Sequence, residues 1–157
     1  MRLQVTVSVV AAAATFAIAA SAQPSPNFLI ATRKGAMNLQ AKYFGPVFAM
    51  SRGTAAYDAR IVQRNADYLL VISQLPWDDF QPHTLGLPNT RAKDAIAKEP
   101  EKFKELADTL QSDEQKLAAA ARAGDQAAVK SAALAMGRTC NSCHEHFTSY
   151  EYRFKFE

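Results

Sequence analysis

The chain has 157 residues, with 18 Lys and Arg against 15 Asp and Glu and a net charge of +3. The two signs are interspersed and no basic block occurs, which argues against nucleic acid or a strongly charged membrane surface as a partner. The length suits a single compact domain able to bury a real core.

The first segment, MRLQVTVSVVAAAATFAIAASAQ, reads as an export signal rather than as fold. Arg2 is its only charge, a short apolar stretch runs from Val5 to Ala20, and Ala20-Ser21-Ala22 fits the small-x-small cleavage rule. Residues 1–22 are therefore expected to be removed on the way to the periplasm. That leaves residues 23–157 as one domain. The apolar run falls short of the ~20 residues that span a bilayer, and no later stretch is apolar enough to do so.

Helical signals fill the rest. A first helix is expected from Ser25 as N-cap and Pro26 as first helical residue. Phe28, Leu29, Thr32, Ala36, Leu39 and Tyr43 follow at helical spacing, and Pro46 predicts a kink or an early stop. A connection from Ser51 to Asp58 leads to a second helix over about 57–75, ended by Pro76. The proline-rich segment 76–90 reads as a long irregular crossing, of the kind that packs over something. A third helix is expected over 100–123, stopped by Gly124, and a fourth from Gln126, capped by Asp125, past Phe147. No alternating run of strand length occurs outside the export signal. The fold class predicted is all-α, an antiparallel up-down-up-down four-helix bundle.

Both cysteines lie in the last helix, in Cys140-Asn141-Ser142-Cys143-His144. A disulfide between them would close a very short loop and stabilise little. A thioredoxin-like redox pair needs a β-α-β setting, and a zinc site needs more ligands at suitable spacing. The C-x-x-C-H pattern is instead that of covalent haem attachment. Residues three apart on a helix share a face, so both thiols can form thioethers to one haem c. His144, next in sequence, can then bind the iron through a ring nitrogen. His146 and His83 read as ordinary surface or half-buried residues, and Tyr43, Phe44 and Phe147 as core or pocket aromatics.

A haem motif this near the end of an exported helical chain resembles the cytochrome c prime family, the class II c-type cytochromes. The resemblance runs through Thr32–Val47 (TRKGAMNLQAKYFGPV), Ala55–Ala59 (AAYDA) and Leu75–Phe80 (LPWDDF) to CNSCHEHF. It implies a four-helix bundle, often a homodimer, with one haem held between the helices. It also implies that Arg33 neighbours a haem propionate and that Met37 sits over the iron; some related proteins use a methionine from this helix as a true ligand. The chain departs from the pattern after Phe147, where Thr148 stands in place of a nearby basic residue and the next one is Arg153. Its tail is aromatic-rich rather than lysine-rich, and a tryptophan often found before the third helix is missing.

The sixth iron position decides between two functions. A protein ligand there suits electron exchange with redox partner proteins; an open position admits nitric oxide or carbon monoxide. Met136 precedes His144 by about 12 Å along the same helix and cannot reach the opposite haem face. Met50 lies at the far end of the first helix. Met37 is left as the methionine near the open face, either ligating the iron or packing against the haem. One-electron transfer is the first expectation and gas binding the alternative. No nucleophile–base arrangement or phosphate loop points to an enzyme.

Overall fold

The computed structural model describes residues 23–149 and 154–155. The expected export signal, residues 1–22, lies outside them. Five helices occur among the described residues: α1 (Pro26–Arg52), α2 (Ala59–Ile72), α3 (Ala95–Lys98), α4 (Pro100–Arg122) and α5 (Gln126–Phe147). The four long ones pack in a ring, α1 on α2, α2 on α4, α4 on α5 and α5 on α1, which is the expected four-helix bundle.

Local chemistry sets most of the helix ends. Ser25 accepts from the Phe28 amide at 3.3 Å, Asp58 from the Arg60 and Ile61 amides at 2.9 and 3.1 Å, and Asp125 from the Ala128 amide at 2.9 Å. Each such cap is worth about 1 kcal/mol. Gly53 and Gly124 follow α1 and α4 with φ of 78° and 68°, the left-handed conformation that lets the chain turn back on the last carbonyls.

Of the kink or early stop expected at Pro46, the stop does not occur: α1 runs through it for 27 residues. Proline removes one backbone donor from the helix. The residues beyond it, Val47 and Phe48, are buried in the main core beside Phe44, Val62, Leu69, Leu117 and Met136. Burying two large apolar side chains contributes several kcal/mol, on the order of 1.5–3 each, and offsets the lost bond. The second helix ends at Ile72, three residues before its expected end.

The long crossing between α2 and α4 is more structured than its composition implies. Two 3-10 turns, Trp77–Asp79 and Pro82–Thr84, precede the single turn of α3. Residues 91–93 then run beside the end of α5: the Lys93 amide donates to Phe147 O and the Ser149 amide to Arg91 O, both at 2.9 Å, and Ala92 bridges Thr148. Leu85, Ala92, Ile96 and Phe147 form a second, smaller core under this crossing. The segment is thereby held against the helix that carries both cysteines.

Candidate haem site

A cavity of about 770 Å³ opens between α1, the crossing segment, α4 and α5. That lies within the several-hundred-Å³ range of sites that enclose a cofactor-sized ligand. Cys140, Cys143 and His144 line it from α5, and Arg33 and Met37 from α1. All five site residues expected from the sequence thus border one space. Its walls are mainly apolar and aromatic, with Phe44, Trp77, Phe80, Phe103, Leu110 and Phe147 among them.

The aromatic walls support one another. Phe103 meets Phe147 edge to face at 5.3 Å between centroids and Phe80 at 4.9 Å. Across the cavity, Phe44 meets Phe154 at 4.8 Å. Phe154 is held by Asn141, inside the C-x-x-C spacing: Asn141 Nδ2 donates to Phe154 O at 2.9 Å and Asn141 Oδ1 accepts from the Phe154 amide at 2.7 Å. Such pairs add to apolar burial and fix ring orientation.

Cys140 and Cys143 are free thiols. Burial pushes Cys143 up to about 11. Burial raises Cys140 further, helped by the nearby Glu114 carboxyl. Both sulfurs are therefore neutral, unlike the low-pKa pair of a redox C-x-x-C. Among the described residues no group of three or more His, Cys, Asp or Glu is placed to hold a metal ion, so a zinc site finds no further ligands.

Arg33 is 2% exposed and engaged with the crossing segment. Its Nη1 donates to Asp79 O at 3.0 Å and to Thr84 Oγ1 at 2.6 Å; its Nη2 donates to Thr84 O at 2.7 Å and Thr90 Oγ1 at 2.8 Å. The guanidinium also lies over the Phe80 ring. Burial pulls its pKa below the usual value, with Asp79 opposing that shift. This anchoring of the crossing was not legible in the sequence. Met136, fully buried, also lines the cavity from the motif's own helix, while Met50 packs against the main core instead. Tyr43 stacks edge-on with Tyr68, away from the cavity. His83 is exposed, and His146 is half-buried with Nε2 at 2.8 Å from Glu99.

A sequence profile of the family described as Cytochrome C' matches residues 29–148. The chain belongs to the cytochrome c prime family. Cytochrome c prime of Rubrivivax gelatinosus is 36% identical over 122 residues, 78% of this chain and 95% of that protein. The Alcaligenes xylosoxydans protein is 33% identical over 122 residues, 78% of this chain and 94% of that one. The crystal structure of the R. gelatinosus cytochrome c prime superimposes with a TM-score of 0.74 at 36% identity, covering 79% of this chain and 97% of that one. A nitric oxide complex of a variant of the A. xylosoxidans cytochrome c prime superimposes with a TM-score of 0.73 at 32% identity, covering 80% and 97%. These cytochrome c prime structures are four-helix bundles, as is this chain. Cytochrome c prime is a haem family of electron carriers rather than an enzyme class. Among the described residues, no helix is long and apolar enough to cross a membrane.

Proposed function

We propose that this chain is a periplasmic cytochrome that carries one covalently attached haem c and exchanges single electrons with redox partner proteins. The observation that carries the reading is the shared cavity: Cys140, Cys143 and His144 on one helix face, opposite Met37 on α1, inside apolar walls. Haem, when bound, supplies an iron that changes oxidation state by one electron. Cys140 and Cys143 would hold it through thioethers and His144 would ligate it from the α5 side. The aromatic walls keep bulk water away. Met37 would close the α1 side and, in this reading, supply its thioether to the iron. Arg33 borders the cavity at the crossing segment, and its remaining positive charge suits a propionate there.

The second reading is a five-coordinate haem protein that takes nitric oxide or carbon monoxide on the α1 side, with Met37 as an apolar wall. The nitric oxide complexes of the A. xylosoxidans relative favour it. In either reading residues 1–22 are a cleaved export signal and no catalytic activity is assigned. A homodimer is supported by the exposed apolar side chains of α1 and α2, Leu39, Tyr68 and Val71, with Leu75 just beyond α2. Sedimentation of the holoprotein tests it, and a monomer at every concentration would remove it.

The haem assignment is tested by expressing the full chain in a host competent in haem ligation. The mature protein should start at Gln23, retain haem-dependent peroxidase stain on a denaturing gel, and weigh one haem more than its polypeptide. A bare polypeptide mass would overturn the assignment. Absorption spectra then separate the readings: low-spin haem with a methionine-to-iron band for the carrier, high-spin haem that responds to carbon monoxide for the gas binder.

A further inference from the structure

One polar group in the cavity has no partner. Gln40 lies on the buried stripe of α1, between Ala36 and Phe44, and is 7% exposed. It lines the same cavity as Met37 and His144, yet its Nε2 makes no hydrogen bond. Arg33, two turns earlier on that stripe, makes four hydrogen bonds by comparison. An unsatisfied buried amide costs about 1–3 kcal/mol, so a donor left in this position calls for an acceptor inside the cavity.

Position says what that acceptor is. The haem motif is on α5, so His144 would bind the iron from the α5 side, while Met37 and Gln40 line the cavity from α1. Gln40 follows Met37 by three residues, one turn along the same face. Arg33 marks the end of the cavity suited to a propionate, and Gln40 lies about 10 Å further along α1. With haem held by Cys140, Cys143 and His144, the amide would border the iron on the α1 side.

We propose that Gln40 is a specificity-determining residue, whose Nε2 donates a hydrogen bond to a small polar molecule held at the iron on the α1 side and so favours nitric oxide over carbon monoxide. The proposal rests on the second reading, an open sixth position. Bound nitric oxide is bent and gathers negative charge on its outer oxygen, which makes it an acceptor. Linear carbon monoxide accepts more weakly. A leucine at position 40 would leave the two gases to be distinguished by the iron alone.

The test uses the ferrous holoprotein, with nitric oxide and carbon monoxide as separate probes, in wild type, Gln40→Leu and Gln40→Asn. Gln40→Leu should release nitric oxide about tenfold faster, the equivalent of one neutral hydrogen bond. Carbon monoxide release should change less, while its infrared stretch moves to higher frequency as the donor is lost. Gln40→Asn, whose amide sits one methylene further away, should fall between. Equal haem content and helicity in the three proteins exclude a folding effect. Unchanged nitric oxide release and carbon monoxide stretch in Gln40→Leu would overturn the donor role and leave the gas reading standing. A Gln40→Leu protein altered only in reduction potential would place the amide on a propionate and equally overturn it. A wild-type ferrous protein that takes neither gas would end the open-position reading, and the proposal with it.

Discussion

Arg33 reaches 51 residues along the chain to Thr84, donating to its hydroxyl at 2.6 Å and to its carbonyl at 2.7 Å. Thr84 is itself fully buried, and its hydroxyl also donates to Gln81 O at 2.7 Å. This pair fastens the crossing segment to α1, and the segment in turn supplies Phe80, Thr90 and Ala92 to the cavity wall. On the α1 side that guanidinium makes four of the bonds that hold the wall, while the backbone pairing with the end of α5 holds its other edge.

Replacing Arg33 with alanine should therefore loosen the crossing. Four hydrogen bonds from a buried cation are lost, and two of their acceptors, the hydroxyl and the carbonyl of Thr84, are left buried. A loss of about 2–4 kcal/mol is expected in denaturant unfolding of the holoprotein. Amide exchange should quicken at Thr84 and Leu85 in particular. Arg33→Lys should recover little, because a single ammonium cannot span Thr84 and Thr90 together. Full recovery by lysine would mean that charge, and not the fork of donors, holds the segment.

The two cysteines should contribute separately to haem retention. Cys140→Ala and Cys143→Ala should each keep a haem on a denaturing gel through the remaining thioether, with a shifted reduced spectrum from the freed vinyl group. The double variant should lose the stain. Neither single variant should unfold the bundle, since each removes only a small half-buried side chain. A double variant that still carries covalent haem would show attachment elsewhere.

Met37→Ala separates the two functional readings. In the carrier reading the oxidised protein changes from low-spin to high-spin and gains carbon monoxide binding. In the gas reading the wild type is high-spin already, and the variant stays so with faster gas entry past a smaller wall. A low-spin spectrum that survives the substitution would remove Met37 as a ligand and require another group at the sixth position.

Much of this architecture was legible because it is local. Ser25, Asp58 and Asp125 accept from amides two or three residues on, and Gly124 turns the chain where α4 ends. The C-x-x-C-H spacing needs only the helix period to place its three residues together. The length of α1 was not legible, because the stop at Pro46 is outweighed by burial of Val47 and Phe48 against other helices. Nor were the partners of Arg33, which lie 46 to 57 residues away in a segment without periodicity. A signal for the unusual polar residues was present all the same. Leu29, Arg33, Ala36, Gln40, Phe44 and Val47 recur every three or four residues and are all buried, so Arg33 and Gln40 interrupt an apolar stripe. Leu110, Glu114, Leu117 and Ala121 form a second such stripe, interrupted by an acid.

That acid makes the stability of the fold depend on pH. Glu114 is 0% exposed and neither carboxyl oxygen has a hydrogen-bond partner. Ser73, just past the end of α2, is the favourable group facing it, Asp113 lies beside it on α4, and Cys140 approaches from α5. Burial raises its pKa from 4.5 to about 8, with Ser73 opposing and Asp113 adding to the rise. The native state then holds a proton that the unfolded chain releases across this interval, so stability falls as pH rises from about 4.5 to 8 and levels off above. At one pKa unit per 1.4 kcal/mol, the penalty at pH 7 is on the order of 3 kcal/mol. Glu114→Gln keeps the shape and removes the charge. It should match the wild type at pH 4, exceed it by a few kcal/mol at pH 7 to 8, and flatten the slope between. Denaturant unfolding of both holoproteins at pH 4, 6 and 8 measures this directly. A variant as pH-sensitive as the wild type would assign the titration to another group.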